Sequence, residues 1–336
     1  MDIDRLSLLI VTWDGDVLLK GCLDSLRATY GRLPQTVVVD NANLGSTRCL
    51  VSGYANLEYV ASPSNLGFAG GNNLGFPKCR GEYVVLLNND TEFTGDALTE
   101  LVSFMDEHRH VGAVQGRVVC GDDRRRLDYC GLQLTPIGQT AAPGLGASID
   151  DERFKRPYSV FSGSGAFLMV RRSAIEALGG KLFRDEFKSY YEDVDLGQRL
   201  WMCGYEVWYC PTIPVVHFGS QTSKRFASTA IAEQGYCNRW YSLLMSYHGL
   251  GILYLGPQLM MLFFGHALFA LLRGNIDPLR VQFRVLRKVF ANRKLILEER
   301  RRFLPLRKLS DWRVLRKLIV RQPWSYYREL IRGGCA

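Results

Sequence analysis

No two of the nine cysteines in this 336-residue chain are spaced Cys-x-x-Cys, and their intervals show no regularity. That absence argues against a zinc site and a disulfide framework, and a reducing cytosol fits nine free thiols best. The glycine-rich stretch Asn65 to Asn73 is followed by no Gly-Lys-Ser/Thr and contains no Gly-x-Gly-x-x-Gly. It is therefore neither a P-loop nor a dinucleotide fingerprint. The N-terminal Met1-Asp2-Ile3-Asp4-Arg5 carries two acids and runs straight into a strand-like segment, so no secretory signal is expected. No internal repeat and no low-complexity linker precede residue 248. A net positive balance is also missing from most of the chain, although its overall net charge is +9. Arg273 to Arg332 holds eighteen Lys and Arg against five Asp and Glu, a local balance of +13 that leaves −4 for everything before it. The basic character belongs to a tail.

What is present is ordinary globular composition, 47% hydrophobic, enough for one large core or a core with an appendage. Leu6 to Thr12 reads as a buried strand, Val17 to Tyr30 has helical spacing, and Thr36 to Asp40 is a second strand followed by a polar loop, Asn41 to Ser46. Leu57 to Val60 and the aliphatic run Tyr83 to Leu87 continue the series. Strand and helix in alternation imply an α/β fold with a mostly parallel sheet and helices on both faces. A helix is expected over Ala97 to Glu107, irregular structure from Val111 to Ala147, and a strand at Gly165 to Val170. Another helix begins near Glu192, and short strands follow at Glu206 to Tyr209 and Pro214 to His217. The Asn65 to Asn73 stretch, taken alone, reads as a loop.

The strand ends carry the chemistry. Asp40 closes Val37-Val38-Val39, and Asp90 follows Leu86-Leu87-Asn88-Asn89, which places two carboxylates at one rim of the sheet. A carboxylate at the first position can accept hydrogen bonds from a base or ribose; one at the second can hold a divalent cation against a diphosphate. As isolated residues, both are equally turn-forming. Tyr190-Tyr191-Glu192-Asp193-Val194-Asp195 packs three acids at a helix N-terminus, where the macrodipole favours them, and Asp195 with Arg199 makes a plain i,i+4 pair. Aromatic residues beside an adjacent Glu-Asp pair look instead like a partly desolvated general base. His217 ends its short strand either as a structural residue or as a metal ligand near Asp90.

Taken in order, Ile10-Val11-Thr12-Trp13, Val38-Val39-Asp40-Asn41, Asn65 to Asn72, Leu87-Asn88-Asn89-Asp90, Glu192 to Leu196 and His217-Phe218-Gly219 resemble the family 2 glycosyltransferases of GT-A fold, in particular the rhamnosyltransferase-like branch. The resemblance spans about residues 6–245. It implies that Thr12, Asp14, Asp40 and Asn41 line the nucleotide pocket, with Asp40 facing the base, and that Asn65, Gly67, Gly70, Asn72, Asn88 and Asn89 complete the donor site. It implies Asp90 as the metal-binding end of a DxD-type motif, a divalent cation (Mg or Mn) there with His217 beside it, and Asp193 as catalytic base. Glu192, Tyr191 and Ser164 are expected on the acceptor side. Two departures stand out: Asn88 replaces the first acid of the motif, leaving one charge fewer for the metal, and Asn41 to Ser46 differs from the family's usual loop after the second strand.

The implied enzyme is an inverting hexosyltransferase using a nucleotide sugar, dTDP-rhamnose by resemblance, and extending a lipid-linked or polysaccharide acceptor in cell-envelope glycan synthesis. The competing readings are a nucleotidyltransferase on a similar sheet and a non-catalytic glycan-assembly scaffold with a relict pocket. Residues 1–248 are expected to form the catalytic domain, about 1–110 for the donor and 111–248 for the acceptor, with 249–336 forming apolar and basic helices. Leu250 to Leu272 would reach roughly 35 Å as a helix, enough for a hydrocarbon core of about 30 Å. A soluble donor and a basic tail both belong on the cytoplasmic side, so a re-entrant or in-plane segment is expected rather than a simple span. The alternative for this segment is a core helix or a homodimer helix. Leu279, Phe283, Leu286, Phe290 and Leu297 fall near one helical face among Arg and Lys, which suits an anionic membrane surface better than nucleic acid.

Overall fold

The computed structural model describes residues 3–43, 45–219, 228–324, 326 and 327. Leu44 of the expected polar loop and residues 328–336 of the basic tail lie outside them. The first half runs β1 (Leu6–Thr12), α1 (Asp16–Tyr30), β2 (Gln35–Asp40), α2 (Gly45–Val51), β3 (Leu57–Ala61), α3 (Gly67–Gly75), β4 (Tyr83–Asn88), β5 (Thr91–Phe93) and α4 (Ala97–Glu107). Strands β3, β2, β1 and β4 are parallel neighbours. Their aliphatic runs follow from burial on both faces: Leu9, Val37, Val39, Val84 and Leu86 enter one core, and Leu8, Ile10, Val38, Val85 and Leu87 enter the other.

The expected loop at Asn65 to Asn73 is largely the helix α3. Its glycines let it lie flat on the sheet, since a Cβ on Gly75 would meet Leu9 at 2.4 Å and Val39 at 2.7 Å, and one on Gly71 would meet Val11 at 2.7 Å. Poor helix formers are tolerated because packing, not propensity, holds the helix.

The second half contains β6 (Val111–Gln115), β7 (Val118–Cys120), β8 (Gln133–Leu134), β9 (Thr140–Ala141), β10 (Tyr158–Ser159), β11 (Phe167–Arg171), α5 (Arg172–Ala177), α6 (Glu192–Met202), β12 (Glu206–Tyr209) and β13 (Val215–His217). The main sheet has the order β10-β12-β6-β11-β4-β1-β2-β3 and is mixed. Strand β11 is antiparallel to both β4 and β6. Because β11 runs backwards, the loop entering it sits at the rim where β4 and β6 end: Asn88 N donates to Ala166 O at 3.1 Å, and Ser164 N donates to Gln115 Oε1 at 2.8 Å. A small second sheet, β5-β13-β7, sets His217 opposite Thr91, one residue from Asp90.

Five helices follow: α7 (Ser228–Ser246), α8 (Gly249–Leu272), α9 (Asp277–Ala291), α10 (Arg293–Phe303) and α11 (Asp311–Leu318). The amphipathic face expected from Leu279 to Leu297 is divided between α9 and α10 by a break at Asn292. These helices are tied to one another: Asp311 Oδ2 accepts from the backbone N–H of His248 and Gly251, both at 2.9 Å, and Arg300 donates to Leu244 O at 2.8 Å. The segments around α11 fasten them to the sheet domain, Lys308 N donating to Met202 O and Val320 N to Leu134 O, both at 2.8 Å. Helix α8 is long and apolar enough to cross a membrane by length and composition. It buries Leu255, Leu259 and Phe263 against the body and leaves Leu250, Leu253, Met261 and Leu268 outside, each at least 60% exposed.

Candidate active site

Register places the ends of three parallel strands at one rim, pairing Thr12 with Asp40 and Val11 with Asn88. Thr12 Oγ1 accepts from Asn89 Nδ2 at 2.9 Å, and Thr12 O accepts from Asn41 N at 2.8 Å. Gly15 permits this crowding, because a Cβ there would lie 2.5 Å from Asn89 Nδ2. Asp40 is fully buried: Oδ1 accepts from the N–H of Ala42 and Asn43 at 3.0 and 2.9 Å, and Oδ2 accepts from Tyr59 at 2.9 Å. Its carboxylate thus shapes the turn after β2. Asp14 adopts φ 52°, in the same turn region after β1. The buried amides Asn41 and Asn72 donate to Gly67 O and Phe68 O at 2.8 and 2.9 Å, and the Oδ1 of each has no partner among the described residues.

Gly67 and Gly70 act as spacers. Gly67 has φ +72°, and a Cβ there would collide with the Lys188 backbone at 2.6 Å; one on Gly70 would meet Leu66 Cβ at 2.7 Å. Asn65 Oδ1 accepts from Gly67 N at 2.9 Å. The start of α3 in turn grips the segment before α6, with Ala69 N donating to Lys188 O at 2.7 Å and Phe68 N to Ser189 Oγ at 3.1 Å.

Asp90 and His217 meet as expected, with a third residue that sequence reasoning missed. His217 Nε2 lies 3.3 Å from Asp90 Oδ1 and 3.2 Å from Asn88 Nδ2, while Nδ1 lies 2.8 Å from Asp128 Oδ2. Burial opposes charge on the ring, but the hydrogen bonds to Asp128 and Asp90 outweigh it and raise His217 to about 9. The carboxylates sit on opposite nitrogens of one imidazole, and among the described residues no three His, Cys, Asp or Glu side chains are placed to hold a metal. The donor set nevertheless suits a hard divalent ion that takes one or two protein ligands and fills its remaining positions with phosphate oxygens and water. Asp128 on Nδ1 is the outer partner that orients such a histidine.

The Glu192-Asp193 pair stands on a strained approach. Lys188, Tyr190 and Tyr191 have φ of 52°, 69° and 71°, uncommon for side chains of this size. Asn238 on α7, also missed from the sequence, pins this segment by donating to Phe187 O, Ser189 O and Tyr190 O at 2.7, 3.0 and 2.6 Å. Burial lifts both acids above the ordinary carboxylate range, Asp193 to about 6, and the neighbouring Asp193 charge adds to the rise of Glu192. Val194 N donates to Asp193 Oδ1 at 2.8 Å, and Ser162 Oγ donates to Asp193 O at 2.6 Å. Glu192 Oε2 is buried without a partner among the described residues.

Tyr129 joins the two halves. Burial and the nearby charges of Asp193, Asp128 and Glu192 raise its hydroxyl pKa, and Ser164 works against that rise. Its carbonyl accepts from Gln115 Nε2 at 2.7 Å. Asp128-Tyr129 lies in the irregular stretch after β7, where no periodicity marks it. Beneath the pair, the expected plain Asp195–Arg199 contact is a buried cluster: Asp195 accepts from Arg199 and Arg184 at 2.7 and 3.1 Å and from Ser242 at 2.8 Å. A separate cleft of about 590 Å³, lined by Phe76, Arg184, Arg199 and Phe303, contains none of the rim residues.

The sequence profile of Glycosyl transferase family 2 matches residues 7–179. This chain belongs to that family. Among curated relatives, the O-antigen chain rhamnosyltransferase WbaN of Salmonella anatum is 29% identical over 61% of this chain and 64% of its own length. This chain thus spans less than two thirds of that relative's length. The N-acetylglucosaminyl-diphospho-decaprenol L-rhamnosyltransferase of Mycobacterium tuberculosis H37Rv is 25% identical over 68% of this chain and 81% of its own. Two solved structures share the fold: the Pyrobaculum calidifontis mannosyltransferase PcManGT with GDP-Man and Mn2+ (TM-score 0.52, 18% identity, 98% of this chain and 84% of that one), and S. aureus TarS 1-349 with UDP-GlcNAc (0.55, 15%, 90% and 88%). The fold is GT-A-like, a mixed sheet with flanking helices, and it carries a C-terminal helical region whose long apolar helix is consistent with membrane association. Asp193, His217 and this helical region all lie beyond the matched residues.

Proposed function

We propose that this family 2 glycosyltransferase transfers a sugar, with inversion, from a nucleotide-sugar donor to a lipid-linked or polysaccharide acceptor of the cell envelope. The rhamnosyltransferase relatives favour rhamnose, carried by dTDP, as the sugar. In this reading residues 1–248 perform catalysis, about 1–110 holding the donor and 111–248 the acceptor, and residues 249–336 bind the cytoplasmic face of the plasma membrane as a peripheral or monotopic anchor. The observation that carries the proposal is the pairing of the raised Glu192-Asp193 acids with the Asp90–His217–Asp128 chain across Tyr129.

Asp193, the catalytic base, takes the proton of an acceptor hydroxyl while that oxygen attacks the anomeric carbon. The bond from that carbon to the diphosphate oxygen breaks, and its electron pair leaves with the nucleoside diphosphate. A carboxylate lifted by burial is better matched to this proton than an ordinary one, and Glu192 lies beside it on the acceptor side. Thr12, Asn41, Asn88 and Asn89 border the donor; Asp40 holds the turn that faces the base, and Tyr191 and Ser164 flank the acceptor. Asp90 and His217 would hold a divalent cation, Mg or Mn, which supplies positive charge against the diphosphate when bound. Nucleoside diphosphate release from a panel of nucleotide sugars, with and without lipid-linked acceptors, tests the reading. Acceptor-dependent release supports it, whereas donor binding without release or transfer from any donor identifies a scaffold.

A further inference from the structure

Arg239, on α7 one residue beyond the asparagine that pins the base segment, is a half-buried cation without an acid. Among the described residues it forms no ion pair; its Nη atoms donate to Gln139 Oε1 and Gly138 O, and its buried Nε has no acceptor. The charged side chain lies near Tyr191, Tyr236 and Tyr326, and burial pushes its pKa below the ordinary arginine value. Fixed, uncompensated positive charge in an interior is unfavourable, and it persists where a ligand supplies the counter-charge.

Its position indicates which ligand. On one side, Tyr191 directly precedes Glu192-Asp193. On the other, the turn that Arg239 holds rests on the apolar helix: a Cβ on Gly138 would lie 3.3 Å from Leu255 and 3.5 Å from Leu259, and Tyr254 donates to Pro136 O at 3.3 Å. Tyr236, one turn before Arg239, hydrogen-bonds with His266 of α8 at 3.1 Å. Arg239 therefore stands between the segment that carries the base and the inward face of α8, whose other side is apolar and exposed.

We propose that Arg239 anchors the diphosphate of a prenyl-diphosphate-linked acceptor, placing the acceptor sugar toward Asp193 and the prenyl chain along the apolar face of α8. This rests on the lipid-linked acceptor proposed above and names the group of that acceptor which the protein grips. A guanidinium presents forked donors that match phosphate oxygens, and two anionic groups satisfy it better than neutral carbonyls do.

The test is calorimetric binding of geranyl diphosphate, geraniol and inorganic pyrophosphate to the full-length protein without donor, repeated for R239Q, R239K and D193N. Wild type is expected to bind geranyl diphosphate more tightly than pyrophosphate and to show no comparable affinity for geraniol. R239Q should lose roughly tenfold or more, as expected for a charge-assisted contact, R239K should recover part of that loss, and D193N should bind as wild type does. Equal wild-type affinity for geranyl diphosphate and geraniol overturns the proposal without any variant, which covers an R239Q protein that does not fold. Undiminished binding by a folded R239Q protein also overturns it, and equal affinity for pyrophosphate reduces the site to one for free phosphates. Sugar transfer plays no part in these measurements, so an absence of transfer from every donor refutes the glycosyl-transfer reading separately.

Discussion

Asp193 owes its proposed role to its surroundings. A carboxylate in water would be fully ionised and a weak base at neutral pH, but burial lifts this one to about 6. Turnover should therefore fall as pH drops through about 6, since the protonated acid cannot accept the acceptor's proton, and a kcat profile between pH 4.5 and 8 would show that limb. Asp193→Asn should lower kcat by about 10²–10⁴-fold while donor affinity changes little; near-normal turnover in that variant would remove Asp193 from the mechanism. If Asp90 and His217 hold the proposed cation, Asp128 orients the imidazole through Nδ1, and Asp128→Asn should weaken divalent-ion binding by roughly 10–100-fold, read directly by Mn titration.

Among the elements, the segment before α6 depends most on its neighbours. Three residues at positive φ are held by the three carbonyl contacts of Asn238 and by the start of α3. Asn238→Ala should destabilise the protein by about 1–3 kcal/mol, the cost of buried acceptors left unpaired, and should lower kcat more than it raises donor KM. Chemical denaturation and steady-state kinetics measure the two effects. Helix α6 is secured below by Asp195. There burial opposes the charge, and Arg184 and Arg199 outweigh it, holding the carboxyl below the ordinary range. A carboxyl with a depressed folded pKa contributes stability that is present above its unfolded value, near 4, and lost as pH falls through the folded one. Asp195→Asn should cost roughly 3–5 kcal/mol at neutral pH by leaving buried guanidinium groups uncompensated, and its stability should depend less on pH below 4 than that of wild type.

For the whole molecule, the outward side of α8 and the exposed Phe283 and Phe290 of α9 form an apolar surface beside Arg280 and Arg287. Full-length protein should float with anionic vesicles and release as salt rises. Replacing Arg280 and Arg287 by Gln should weaken partitioning by on the order of 1 kcal/mol per charge, and introducing Asp at Leu253 and Leu268 should abolish it. Equal flotation of all forms would falsify the membrane assignment. Truncation after residue 248 is a poor control, because Asp311 and Arg300 of the tail cap the end of α7 and the start of α8.

The parallel strands, their aliphatic cores, the rim acids Asp40 and Asp90 and the Glu-Asp pair were legible in the sequence because each is a local pattern: a run buried on both faces, or a polar break at its end. The reversal of β11, the helix at Asn65 to Asn73 and the residues Asp128, Tyr129, Asn238 and Arg239 were not. Strand direction depends on pairing between distant segments, and α3 forms because the sheet supplies a surface its glycines can approach. Asp128 and Asn238 become significant only when folding sets an imidazole or three strained carbonyls within hydrogen-bond reach. Which groups sit at strand ends follows from periodicity and polarity, which are local; which groups they meet follows from folding, because contact and desolvation arise between segments far apart in the chain.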